Sequence, residues 1–366
     1  MILHEIGIAN FKNIEEGNIT FSPKVNCLIG NNGQGKTNVL DAIFYLSFTK
    51  SFFNTPDQLV VRHDAPFMML RGKYSRKGEA TEISVGLQVG KHKRIKRDGK
   101  EYRRITEHIG LLPLVMVSPL DSDLIRGASD GRRRLIDMII SQADKEYLSR
   151  LMWHQKAIEH RNMMLRQGYT DPLLFASVEE QIIDAATYIH QARTSWVKAF
   201  EPIFMHYYKA IAGPEEQVQL RYVSHLNAAS AREVLDQNRQ RDIALGYTSA
   251  GVHRDDIELL LDGHPMRATG SQGQCKSYTI ALRFAQYHFL KNATAVKPIL
   301  LLDDIFDKLD SIRVQNIVDV VSSNDFGQIF ITDTNLSLLD DIVKKISADY
   351  TILMVEKGSI STHSNS

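Results

Sequence analysis

The residues best suited to chemistry are Gly30, Asn31, Asn32, Gly33, Gln34, Gly35, Lys36 and Thr37, which spell G-x-x-x-x-G-K-T. Glycines at this spacing let backbone N–H groups turn inward around phosphate oxygens. A lysine closing the motif reaches the β- and γ-phosphates of a nucleotide, and the threonine hydroxyl can ligate Mg²⁺. The apolar run Val25, Cys27, Leu28, Ile29 precedes it, and Val39, Leu40, Ile43, Phe44 and Leu46 follow in a helical rhythm. A strand before and a helix after disfavour the plain alternative of a glycine-rich turn without a ligand.

Late in the chain, the apolar run Ile299–Leu302 ends in Asp303 and Asp304. A run without polar interruption is expected for a buried parallel strand, and ligands bind at the carboxyl ends of such strands. Adjacent acids there suit two tasks, one in a Mg²⁺ shell and one polarising an attacking water. Ser271, Gln272, Gly273 and Gln274 precede an amphipathic helix whose free N–H groups form a second anion-binding end. One γ-phosphate rarely needs two cradles from one chain, so this one is expected to serve another subunit's nucleotide. The bland alternative is an ordinary Ser/Gly helix start.

Several elements must position these groups. Strands are expected at Leu3–Ala9, Asn18–Phe21, Val25–Ile29, Phe67–Tyr74, Glu82–Val89 and Leu114–Val117. Lys93–Arg104 has Asp98-Gly99 at its centre, a hairpin signal, and Lys91–Arg104 carries a net charge of +6. Lys93, Arg94, Lys96 and Arg97 there are candidates for DNA phosphates, against the alternative of a solvated edge hairpin. Arg132, Arg133 and Arg134 form a second candidate patch, at a helix capped by Ser129 or Asp130. Leu148, Leu151, Gln155, Ile158, Asn162 and Leu165, then Val178, Ile182, Ala185, Ile189, Ala192, Trp196, Ala199 and Ile203, describe two helices packed as an antiparallel arm. Residues 204–246 read as mostly helical, Ile257–Met266 as another Asp-Gly hairpin, and Ser359–Ser366 as a frayed tail.

The chain has 366 residues, 43% hydrophobic and 24% charged, which is ordinary for a globular protein of two or three domains. No apolar run approaches the roughly 18 residues of a membrane span. The start reads as a strand rather than a signal peptide. Two cysteines, Cys27 and Cys275, lie outside any spaced framework and indicate a reducing, cytoplasmic compartment. With a net charge of only +1, nucleic-acid binding has to come from local patches.

The constellation resembles the ABC-type ATPases of the SMC-like branch, and within it the RecF family. The resemblance spans essentially the full chain. It rests on N-F-K-N (Asn10–Asn13), G-N-N-G-Q-G-K-T, the block Val117–Asp137, G-V-H-R-D-D (Gly251–Asp256), S-Q-G-Q and L-L-L-D-D-I-F-D-K-L-D. It implies an α/β fold: an ABC-type P-loop ATPase head with an inserted antiparallel helical arm domain. The division expected is an N-terminal lobe at 1–125, the arm at 126–246 and a C-terminal lobe at 247–366. It also implies a head-to-tail dimer sandwiching ATP, with Ser271, Gly273 and Gln274 reaching the partner's γ-phosphate. Asp303 supports Mg²⁺, Asp304 takes the catalytic-acid position, and Asp307–Asp310 is the D-loop at the dimer interface. Such proteins bind duplex, gapped or junction DNA at the nucleoid, hydrolyse ATP slowly, and work with recombination mediator proteins. Asp304 stands where most ABC proteins have glutamate, and Thr332-Asp333-Thr334 stands where a switch histidine is usual. Competing readings are an ATPase subunit energising a membrane transporter, which the inserted arm disfavours, and a P-loop kinase, which leaves S-Q-G-Q without a purpose.

Overall fold

In the computed structural model, which describes residues 1–169, 171–307, 309–335, 342–347 and 349–362, every residue of the strand Val25–Ile29 is buried. It lies between Tyr350–Glu356 and Ile329–Asp333, parallel to both. Ile299–Asp303 and Leu114–Val117 extend the parallel ladder, and Ser359–Thr362 closes the far edge antiparallel. Burial on both faces explains why these strands read as continuous apolar runs. Part of the expected frayed tail is therefore a strand, and residues 363–366 lie outside the described residues.

A second, antiparallel sheet runs Ile14–Thr20, Ile2–Phe11, Phe67–Arg76, Glu79–Gln88, Arg94–Arg97, Lys100–Glu101. Its last two strands are the expected basic hairpin. The helix Lys36–Phe48 contacts strands of both sheets, and its buried set includes Ala42, Tyr45, Ser47 and Phe48 beyond the apolar stripe read from sequence. A helix covered on all sides has no face left for solvent.

The chain divides into two compact units, Met1–Asp121 with Ala210–Ala212 and Lys276–Ser366, and Ser122–Lys209 with Gly213–Cys275. The second boundary thus falls after Cys275 rather than at 246. The reason is strand pairing: Asp256–Leu261 joins Val218–Val223 and His264–Pro265 in a sheet of the arm unit. Val218–Val223 also corrects the helical expectation for 204–246.

The arm helices are Lys145–Arg166 and Pro172–Ala212, of 22 and 41 residues. Val178, Ile182, Ala185, Ile189 and Trp196 are buried as expected, but Ala199 is exposed and Phe200 and Phe204 take its place. A strict 3.5-residue stripe drifts by about 20° per heptad on a straight helix, so the face read from sequence rotates away from the core. In the shorter helix Gln155 is exposed, and the buried face instead carries Tyr147, His154, Ala157, Ile158, Arg161 and Met164. Arg161 is fully buried and donates to Glu179 (3.0 Å), Asp242 (2.7 Å) and the Thr248 hydroxyl (2.9 Å). Arg193 likewise donates to Asp137 (2.8 Å), Asp255 (2.7 Å) and the Val252 carbonyl (2.7 Å). The helix Ser129–Ala143 starts two residues before the expected Gly131, so Ser129 and Asp130 lie within its first turn and neither caps it.

His154 and His253 face each other in this unit with ring centroids 5.8 Å apart. His154 Nε2 and His253 Nδ1 are buried without a partner among the described residues. Burial lowers the imidazole of His154 to about 3 and that of His253 to about 4. The unfolded chain binds these protons near pH 6.5 and the folded chain does not, so stability is full above about pH 6.5 and falls on acidification. Between pH 7 and 5, His154 alone should remove about 2 kcal/mol. Urea unfolding should show a lower midpoint at pH 5, and His154→Leu should flatten that dependence; an unchanged slope in the variant would rule out this coupling.

Candidate nucleotide site

The phosphate loop is clamped from two sides, by the backbone at the end of Tyr350–Glu356 and by the Asn13 side chain. A Cβ at Gly30 would stand 2.2 Å from the Val355 carbonyl oxygen. At Gly35, φ is +114° and a Cβ would meet the Asn13 side chain at 2.8 Å, so both positions require glycine. Asn13 Nδ2 donates to the Gln34 carbonyl (3.1 Å), while Asn38 Nδ2 donates to Asn13 Oδ1 (2.7 Å). On the other side the turn after Tyr350–Glu356 contributes Lys357 N to Gln34 Oε1 (2.6 Å) and Gly358 N to the Gln34 carbonyl (2.9 Å). Asn31, Asn32 and Gly33 remain exposed at the loop tip. The loop is held in shape by its neighbours, as a preorganised anion cradle must be.

Lys36 starts the helix and is 5% exposed, with its ammonium donating to the carbonyls of Gly30 (2.7 Å) and Asn31 (3.2 Å). The Thr37 hydroxyl lies 3.0 and 3.1 Å from the two Asp303 carboxylate oxygens. The parallel ladder pairs Asp303 with Thr332, whose hydroxyl donates to Asp303 Oδ1 (2.8 Å) and accepts from Asp304 N (3.0 Å). Asp304 itself adopts φ +46°, a strained backbone setting for a non-glycine residue and one that clusters at functional sites. Burial raises the Asp303 carboxyl, opposed by the Thr332 hydrogen bond and reinforced by Asp304. Burial also raises Asp304, opposed by Lys36.

Among the described residues no group of three or more His, Cys, Asp or Glu side chains is arranged to hold a metal ion. One carboxylate and one hydroxyl are, however, the sparse donor set that suits Mg²⁺ when nucleotide phosphates and water complete its octahedron. The residues present therefore fit a Mg²⁺–nucleotide better than a metal alone.

Ser271–Gln274 lie in the arm unit. The Ser271 hydroxyl accepts from Gln274 N (3.2 Å) and Gln274 Oε1 accepts from Ser271 N (2.8 Å), a capping box at the start of the helix Gln272–Thr294. Gln274 Nε2 also donates to Glu216 (2.8 Å). Ser271 and Gln272 are exposed, and Gly273 is half-buried. In the D-loop segment, Lys276 donates to the Asp307 carbonyl and to that of Asp304 (3.4 Å), while Asp310 caps the helix Ser311–Val321. Lys308 lies outside the described residues.

The DNA candidates divide sharply. Lys93 is turned inward, paired with Asp57 (2.8 Å) over the Tyr45 ring. Arg132 is buried and donates to both Asp256 oxygens (2.7 and 2.8 Å). Arg133 donates to the Asp255 carbonyl and the Ser129 hydroxyl, both at 2.6 Å. These three hold the fold and are withdrawn as phosphate contacts. Arg94, Lys96, Arg97 and Arg134 are exposed, the last beside Asp130 (2.6 Å).

Thr332 and Asn13 lie in segments that the sequence singles out, but their contacts with Asp303 and the loop, and the whole of the Lys357-Gly358 turn, are not legible there. The signals were present, a hydroxyl at the end of a buried strand and a Lys-Gly turn near the C-terminus, but their proximity to the loop depends on strand order.

Residues 2–361 match the family model of the RecF/RecN/SMC N terminal domain. The chain is 48% identical to DNA replication and repair protein RecF of Parabacteroides distasonis, covering 98% of this chain and 99% of that one. It is 47% identical to the protein of the same name in Bacteroides thetaiotaomicron, covering 98% of each. A solved structure of the recombination mediator protein RecF with ATP, in the RecFOR pathway, superposes with a TM-score of 0.89 at 26% identity, covering 99% of this chain and 98% of that one. The phosphate loop and the paired late acids meet on one α/β unit, and the chain belongs to the RecF family of DNA replication and repair proteins.

Proposed function

We propose that ATP joins two copies of this chain head to tail and that the closed pair holds duplex, gapped or junction DNA. The chain is a DNA replication and repair protein of an ATPase family, and membership lends the transporter reading no support. The observation that carries the dimer reading is the pair of anion-ready helix starts. Lys36 opens one beside Asp303 and Asp304, and Ser271 caps another in the second compact unit. A ligand that touches both subunits stabilises only the paired state, so ATP acts as a timer for DNA engagement.

Within the site, the loop amides and Lys36 orient the phosphates, and Thr37 with Asp303 would hold a Mg²⁺ ion. Bound Mg²⁺ supplies neutralisation of charge on the β- and γ-oxygens. Thr332 fixes the Asp303 carboxylate and the Asp304 backbone, and Asp304 accepts the proton of the attacking water. Ser271 and Gly273 of one subunit reach the γ-phosphate in the other, with Gln272 and Gln274 shaping that helix start, and Asp307 and Asp310 line the contact. Slow hydrolysis then releases DNA. Arg94, Lys96, Arg97 and Arg134 contact phosphates, recombination mediator proteins act as partners, and the place of work is the cytoplasm at the nucleoid.

Ser271→Arg should leave ATP binding intact and abolish ATP-driven dimers in light scattering, because the new charge enters the partner's site. An ATP-driven dimer in that variant would exclude the shared site. Asp304→Asn should slow hydrolysis at least about tenfold, roughly 1.4 kcal/mol of barrier, and lengthen dimer lifetime; unchanged turnover would move the proton-accepting role elsewhere. Replacing Arg94 and Lys96 together by alanine should weaken DNA binding and lower the salt slope by about 0.9 per lost phosphate contact. An unaltered slope in salt-titrated binding would remove the hairpin from the interface.

A further inference from the structure

At the amino ends of the parallel strands, opposite the phosphate loop, a cleft of about 330 Å³ opens in the first unit. Its apolar wall is formed by Ile2 and Pro23, backed by the buried side chains of Val296 and Phe326. Its charged side carries Lys24, Lys77 and Lys297. Asp325, the acid whose charge acts on Lys297, is already paired with Lys291 at 2.6 Å. The Lys297 ammonium donates to the Asn324 carbonyl, and burial, with the charges of Lys291 and Lys24, lowers it.

The cleft is preformed. The buried Gln328 side chain accepts from Leu3 N and donates to the Leu3 and Ser22 carbonyls, each at 2.8 Å. Gly327 N donates to the Tyr287 hydroxyl (2.7 Å), and the Phe326 ring leans on Tyr287 at 4.5 Å between centroids. None of these contacts belongs to the nucleotide site, and none is explained by it.

We propose that this cleft docks a short acidic segment of a partner protein, seating one aromatic or large aliphatic side chain on the apolar wall with its flanking carboxylates on Lys24, Lys77 and Lys297. The volume is at the small end of ligand pockets and suits one or two side chains. Nucleic acid fits less well: Phe326 is buried and offers no ring face for base stacking, and phosphates gain nothing from the apolar wall. An acidic peptide with a single large apolar residue uses both halves.

The test is fluorescence anisotropy of the full chain with a short fluorescein-labelled peptide whose single phenylalanine is flanked by aspartates. Saturable binding is expected, about tenfold weaker when asparagines replace the aspartates or serine replaces the phenylalanine. Lys24→Glu and Lys77→Glu, both at exposed positions, should each weaken it about tenfold with an unchanged melting temperature. Lys36→Ala should leave it intact, separating this cleft from the nucleotide site. Absence of saturation, equal binding of the altered peptides or variants, or equal competition by a short oligonucleotide would overturn the proposal, the last by identifying a phosphate-binding surface instead.

Discussion

The parallel ladder between Ile299–Asp303 and Ile329–Asp333 is the constraint on which the site depends. It sets Thr332 beside Asp303, and the Thr332 hydroxyl then bonds both that carboxylate and the Asp304 amide. A shift of one residue would turn these side chains to the other face of the sheet and separate Asp303 from Thr37. The same ladder continues to Val25–Ile29, so the phosphate loop leaves one strand of the sheet while the acids leave another. Burial is the main cause of the raised carboxyls at Asp303 and Asp304, and the charge of Lys36 opposes it at both.

In the arm unit, buried charge pairs order the packing beside the apolar seam of Val178, Ile182, Ala185, Ile189 and Trp196. Two sequence blocks far apart in the chain, Val117–Asp137 and Gly251–Asp256, meet through Arg132 with Asp256 and through Asp137 and Asp255 on Arg193. Removing one partner of such a buried pair typically costs about 3–5 kcal/mol, because the other charge is left without compensation. Arg161 performs the same task between the two arm helices and the helix Ala231–Leu245, through Glu179 and Asp242. The apolar cluster of Ile158, Met164, Val178, Ile182 and Leu235 packs within this unit as well.

Arginine and lysine clusters illustrate how one residue type serves opposite ends. Arg132 and Arg134 are two positions apart, yet one is buried in a bidentate pair and the other stands in solvent. On a helix, positions two apart point to different faces, so a run of three arginines cannot be a single patch. Lys93, just before the strand Arg94–Arg97, turns inward to Asp57, whereas Arg94 is exposed.

Some features of this protein are local in sequence and were legible there. The phosphate loop needs glycines, lysine and threonine at fixed spacing, and the acid pair needs only an apolar strand before it. The Asp-Gly hairpins and the existence of a helical arm are likewise short-range, set by turn chemistry and periodicity. Other features belong to tertiary structure alone. Thr332, Asn13 and the Lys357-Gly358 turn become site residues only because strand order brings their backbones to the loop. The buried arm face defies a rule that reads burial from apolarity: Arg161 is held by carboxylates remote in sequence, and His154 packs against the ring of His253. Spacing specifies chemistry; which chain segments share an environment is decided by packing.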